Sequence, residues 1–175
     1  MASTYTPIAT TTLSSNATTV TFSSVPSTYT DIVLQATMLQ NGTATVTNGY
    51  ITLNSSATGY SRTGIQGSGT VASSYRNTGL DRMYFSIDSN ATDWAFHTPH
   101  FMNYANTNTY KTVLSRQNNV ATLVGAVAYL WQNTAAINSI AITASDNQGG
   151  GSADQFVAGS TFTLYGITAA GGMDN

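Results

Sequence analysis

The chain has no cysteine. That excludes a disulfide framework, a thiolate metal centre and a cysteine nucleophile. It does not fix the compartment, because a domain with a large enough core needs no bridges. Glutamate is also missing, and Lys111 is the single lysine. These two residue types clothe most helix surfaces, so their scarcity argues against a helical protein. Five cations and seven aspartates make the chain only 7% charged, against about a quarter in an ordinary globular domain. So few cations cannot build the basic footprint that phosphate binding needs. No run of like charge offers an acidic tail or a polybasic membrane patch. No apolar stretch approaches the roughly 20 residues of a membrane helix. The opening segment, Met1 to Pro7, has neither the cationic start nor the apolar stretch of a signal peptide. Neither nucleic acid nor membrane is expected as a partner.

Thr, Ser, Asn and Gln take the place of charge, at 71 of 175 positions. Ten Tyr, six Phe and two Trp, with 41% hydrophobic residues overall, make the chain too apolar for disorder. The dominant periodicity is two, the signature of strands. Val20 and Phe22 alternate with threonines; Ile32, Leu34, Ala36 and Met38 alternate with Val33, Gln35 and Thr37. Further strands are expected at 43–47, 50–54, 83–87, 110–115, 121–131 and 156–167, and around Ile137, Ile140 and Ile142. Asn41-Gly42 and Asn48-Gly49 suit hairpin turns. Gly64 to Gly69 reads as a glycine-rich loop, Pro99 as a break in the aromatic segment 94–104, and 146–152 as a flexible loop tip. The expectation is an all-β protein, an antiparallel β-sandwich of jelly-roll-like form with about ten short strands. A single domain over 1–175 with short flexible termini is expected.

Few residues suggest chemistry. His97-Thr98-Pro99-His100 is the only histidine pair. Three-residue spacing converges on a metal when it lies on a helix. Here the strand context points to two imidazoles making ordinary hydrogen bonds. Asp88-Ser89-Asn90 and Asp146-Asn147-Gln148 resemble fragments of calcium loops but lack a closing Glu, so both read as turns. A cation held by Asp146 and Asp154 is the alternative reading. No nucleophile elbow, phosphate loop or dinucleotide fingerprint is present. The sequons at Asn16, Asn41, Asn54 and Asn90 are as many as chance gives in so Ser/Thr-rich a chain. Trp94, Phe96, Phe101, Tyr104 and Trp131 suit either a sugar-stacking platform or a sandwich core, and the core reading is preferred. Lys111 lies near a strand start, where an ion pair within the protomer or at a subunit contact would suit it. No catalytic, metal or cofactor residues are assigned, and an enzyme is not expected.

One longer pattern stands out. Asn103-Tyr104-Ala105-Asn106-Thr107-Asn108-Thr109-Tyr110-Lys111-Thr112 precedes Trp131-Gln132-Asn133-Thr134-Ala135-Ala136-Ile137-Asn138-Ser139-Ile140. Gly159-Ser160-Thr161-Phe162-Thr163-Leu164-Tyr165-Gly166-Ile167 closes the chain, and Val25-Pro26-Ser27-Thr28-Tyr29-Thr30-Asp31-Ile32-Val33-Leu34 lies near its start. From about residue 12 to about 169 the chain resembles a family of small jelly-roll-like virion structural proteins of tailed phages, cyanophages especially. The glycine loop at 146–154 departs from that pattern. The resemblance implies a non-enzymatic virion protein, assembled in the host cytoplasm, with other virion proteins as partners. A capsid decoration or cement protein beside the major capsid protein, itself a homo-oligomer, is expected first. The alternative is a tail-fibre or baseplate protein that binds host surface glycan. A polysaccharide depolymerase is a third reading, disfavoured by the lack of Glu. Tyr165 and Trp131 are expected at core or sheet-packing positions, and Gly159 and Gly166 to serve a turn and a bend or bulge.

Overall fold

The computed structural model describes residues 4–41, 48–86, 93–119, 122–145 and 154–169. They form strands and connecting turns, with no helix among the described residues. In chain order the strands are β1 (Tyr5–Thr12), β2 (Thr19–Phe22), β3 (Asp31–Met38), β4 (Asn48–Leu53), β5 (Tyr60–Ser68) and β6 (Val71–Leu80). They continue as β7 (Met83–Ser86), β8 (Ala95–Met102), β9 (Lys111–Asn119), β10 (Leu123–Trp131), β11 (Ile140–Ser145) and β12 (Thr161–Ile167). Two antiparallel sheets pack as a sandwich. The larger has eight strands in the order β1-β12-β3-β8-β9-β10-β5-β6, and the smaller has four, β2-β11-β4-β7.

The connectivity resolves into one folded ribbon with two insertions. With the hairpins β5–β6 and β9–β10 set aside, β1 pairs with β12, β2 with β11, β3 with β8, and β4 with β7. That is a long antiparallel ribbon doubled back on itself. Wrapping it alternates its rungs between the sheets and brings β12 beside β3 and β11 beside β4. This is the jelly roll of two Greek keys. The inserted hairpins pair with each other through β5 and β10, and with β8 through β9. They extend one sheet to twice the width of the other.

Alternation along each strand places the core. In β12, Phe162, Leu164 and Gly166 point inward, and in β9 every second residue from Lys111 to Asn119 does so. Ile32, Leu34 and Phe162 of the large sheet share one buried cluster with Ile51, Ile140 and Ile142 of the small one. Each such fully buried side chain contributes roughly 1.5–3 kcal/mol by leaving water. Aromatic rings fill the spaces that glycines leave on neighbouring strands. Gly49 faces Phe85 across β4 and β7, and Gly64 faces Tyr75 across β5 and β6. A Cβ on Gly49 would lie 2.4 Å from the Phe85 ring, and one on Gly64 2.5 Å from the Tyr75 ring. Gly166 makes no bulge; it sits in regular β12 pairing beneath the ring of Tyr29. Gly159 does take a turn conformation, with φ +93°.

Several expectations change. The described residues form twelve strands rather than about ten. The Gly64 to Gly69 segment is not a loop: Gly64 and Gly67 lie in β5, and Gly69-Thr70 alone makes the turn to β6. Gly69 has φ +68°, which suits the first corner of a two-residue type II′ hairpin. Strands β1 and β6 were not anticipated, because neither shows alternating hydrophobicity. Pro99 does not break its strand. β8 runs through it and stays paired with β9, while bridges to β3 occur only on either side, at Val33–His100 and Ala36–His97. Ile137 precedes β11 but is still buried. The expected strand at 43–47 and the loop tip at 146–152 lie outside the described residues.

Gly49→Ala is expected to cost roughly 1–3 kcal/mol by overpacking. Phe85 has no room to retreat, being buried and stacked on His97 at 4.1 Å between ring centroids. Gly67→Ala, whose Cβ would meet nothing closer than 4.0 Å, is expected to be neutral within experimental error. Urea unfolding of the two variants checks the contrast.

Candidate interaction surface and buried polar groups

The small sheet packs against the inner face of the large one, and among the described residues the outer face of the large sheet lies exposed. Register places Phe96 and Met102 of β8, Leu114 of β9, Val124 of β10 and Ile65 of β5 on this one face. All five are exposed; Ile65 and Val124 retain 63% of their accessible surface. Ala126 and Ala128 fill the rows between them. Toward the β6 side the face dips into a shallow trough of about 750 Å³, lined by Ile65, Ala72, Ser74, Arg116, Val124 and Ala126. The apolar run 121–131, read from sequence as a buried strand, is therefore two-faced. Val127, Tyr129 and Trp131 point inward, while Val124 and Ala128 point out.

The candidate aromatics separate in the same way. Phe101, Tyr104 and Trp131 are buried, as a core reading requires. Trp94 and Phe96 are not: they remain 45% and 39% exposed. Phe96 lies on the outer face of β8, where no second layer covers it. Trp131 stacks on Tyr60, and Tyr104 donates its hydroxyl hydrogen to the Pro26 carbonyl.

The two histidines do not converge. Three-residue spacing in a strand sends the side chains to opposite faces. His100 is on the outer face, 2.9 Å from the Asp31 carboxylate. The other Asp31 oxygen accepts the Asn103 backbone N–H at 2.7 Å. His97 is buried and stacked on Phe85, and neither ring nitrogen has a hydrogen-bond partner among the described residues. Ordinary hydrogen bonding thus describes His100 only. Gln117, beside His97 in register, likewise keeps both amide atoms without a partner among the described residues. Desolvation lowers the His97 pKa to about 3.

Lys111 makes no ion pair within the protomer among the described residues. Its Nζ donates to the carbonyls of Thr109 and Thr134 at 2.9 and 3.0 Å, and burial draws its pKa down. Among the described residues no group of three His, Asp or Glu could hold a metal. Asp154 is buried; its suggested co-ligand Asp146 lies outside the described residues, as do Asp88 and Asn90. On the small sheet, Asp81, Arg82, Tyr50 and Tyr84 form one mutually bonded group. Arg82 reaches Asp81 and lies 4.2 Å above the Tyr50 ring, while the Tyr84 hydroxyl donates to Asp81 at 2.8 Å. Sequence reading missed this group because its members look unremarkable until β4 and β7 pair.

Compared with known protein families and with curated proteins, the chain matches none.

His97 makes stability depend on pH. An unfolded histidine titrates near 6.5, whereas the folded one stays neutral down to about pH 3. Between those values the unfolded chain binds the extra proton, so stability falls as pH falls, by up to roughly 1.4 kcal/mol per pH unit. Urea midpoints at pH 7, 5.5 and 4.5 are expected to fall more steeply for the parent than for His97→Phe.

Proposed function

We propose that the protein is a structural component of a phage virion, a decoration or cement protein that lies against neighbouring capsid subunits. The observation that carries this reading is the open face of the large sheet. Five large apolar side chains share it, with Ala126, Ala128 and Ala72 beside them and Arg116 among them. A contiguous apolar patch on a rigid surface is the usual mark of a protein–protein contact. Jelly rolls recur in viral capsid proteins, and the resemblance to phage virion proteins points the same way, but fold analogy alone does not assign a role. The proposed partner is the major capsid protein, and no chemistry is asked of any residue.

Ile65→Asp combined with Val124→Asp places two charges on the patch without touching the core. Binding to capsid shells, followed by co-sedimentation, is expected to fall at least tenfold while the melting temperature stays within a few degrees. Undiminished binding would remove this face from the proposal. A cryo-EM map of the intact particle decides the location, since density on the shell supports the reading and density on the tail replaces it.

The alternative reading, a tail-fibre or baseplate protein that binds host glycan, is favoured by one observation. Trp94 is an exposed indole on the approach to β8, and such rings serve as stacking platforms for ligands. Under that reading a glycan array gives dose-dependent signals that Trp94→Ala abolishes without changing the fold. A blank array counts against it.

A further inference from the structure

We propose that β6 pairs antiparallel with β6 of a second copy of this chain, joining the two eight-stranded sheets across a two-fold axis. The inference concerns an edge rather than a face, and it stands independently of any role in a virion.

A sheet edge carries unpaired N–H and C=O groups, and proteins usually blunt it by shortness, proline, bulges, charge or covering side chains. Among the described residues, three of the four sheet edges are blunted. In the small sheet, β2 has only four residues. The Tyr84 carbonyl on β7 is capped by Arg62 Nη1 and the Tyr129 hydroxyl, both at 2.8 Å. In the large sheet, β1 carries Pro7 and a register shift between Pro7 and Ala9. The fourth edge, β6, is ten residues long and exposed almost throughout, with no proline, lysine or acidic residue. Its one irregularity lies at the far end, where pairing jumps from Arg62–Asn77 to Tyr60–Leu80 and Gly79 takes φ +67°. Val71 to Asn77 is left as a regular, open stretch spanning roughly 23 Å at about 3.3 Å per residue.

That stretch complements itself. Across a two-fold axis normal to the sheet, each residue faces a partner residue on the same side of the sheet. An axis at Ser74 sets Val71 opposite Asn77, Ala72 opposite Arg76 and Ser73 opposite Tyr75, and it uses the whole regular stretch. The guanidinium then faces a methyl group, and the tyrosine ring faces a small serine. Moving the axis to Arg76 would oppose two like charges and run into the irregularity, so that register is disfavoured. The Ser74 register also places the two apolar troughs side by side on one continuous face, because Ser74 lines each of them. A seam only one strand wide on each side belongs with small interfaces, below about 1,000 Å² in total. The dimer should therefore exchange with monomer as concentration changes.

The chain has no cysteine of its own, so introduced thiols report the register. Opposed residues in an antiparallel pair have Cα atoms about 4.5–5.5 Å apart, within the range a disulfide spans. Ser74→Cys is expected to give a covalent dimer under mild oxidation several-fold faster than Ala72→Cys, which would face Arg76. In analytical ultracentrifugation the parent is expected to dimerise with concentration. Ser74→Lys, which opposes two ammonium groups at an exposed position, is expected to weaken that dimer tenfold or more with an unchanged melting temperature. A parent that stays monomeric at the highest concentration reached overturns the inference. So does a dimer indifferent to Ser74→Lys, or equal cross-linking at positions 72 and 74.

Discussion

The difference in width between the two sheets governs most of this structure. Eight strands face four, so the small sheet's strands alone do not span the inner surface of the large one, yet the inward residues of β9, β10 and β5 are buried. Large side chains with polar tips bridge the mismatch. Tyr60 reaches back to the small sheet, where its hydroxyl accepts the Leu53 N–H at 3.0 Å. Tyr129 and Arg62 converge on a single carbonyl of β7. Arg62 also bonds Asn77 at 3.1 Å and lies 5.0 Å from the centre of the Tyr75 ring. Among the described residues no carboxylate pairs with this guanidinium, and amide, carbonyl and ring dipoles surround it instead. These bonds tie the inserted hairpins to the jelly roll and close the edge of the small sheet.

Much of the sandwich was legible wherever one strand face meets the core and the other meets water. Ile32 to Met38 and Ile140 to Ala144 show the alternation outright, and the structure places both as expected. The pattern fails at the inserted hairpin. β6 presents serine, arginine and asparagine with little alternation because neither of its faces is well covered, so no period-two signal was selected. Glycines misled for a related reason. Gly64 reads as a loop residue until Tyr75 is seen to occupy the space above it, a pairing between residues that only the fold brings together.

The surface was harder to read than the core. Hydrophobic runs say that a residue avoids water, not which layer supplies the cover. The segment ending in Trp131 looked wholly interior, yet its alternate residues face outward because successive side chains of a strand point to opposite faces and the outer face of this sheet is exposed. Trp94 and Phe96 were grouped with Phe101 by proximity, while strand parity turns Phe96 outward and Phe101 inward and Trp94 precedes the strand. His97 and His100 part for the same reason: an odd spacing on a strand divides a pair that a helix would unite. The scarcity of charge, which at first only excluded partners, leaves Arg116 and Arg76 among mostly uncharged neighbours on the broad sheet face and the β6 edge.

The ribbon's outermost rung has a kinetic consequence. β12 lies between β1 and β3, so two strands from the start of the chain gain a shared neighbour only from its end. Tyr5 pairs with Ile167, and Ile32 with Gly166. At ribosomal speeds of about 5–20 residues per second, β1 waits roughly ten to thirty seconds for that neighbour to be made. Pairings so distant along the chain also place the protein among slow-folding topologies. During synthesis the nascent chain holds apolar strand faces that nothing yet covers, and the low charge that suits the finished surface gives the growing chain little protection against its neighbours.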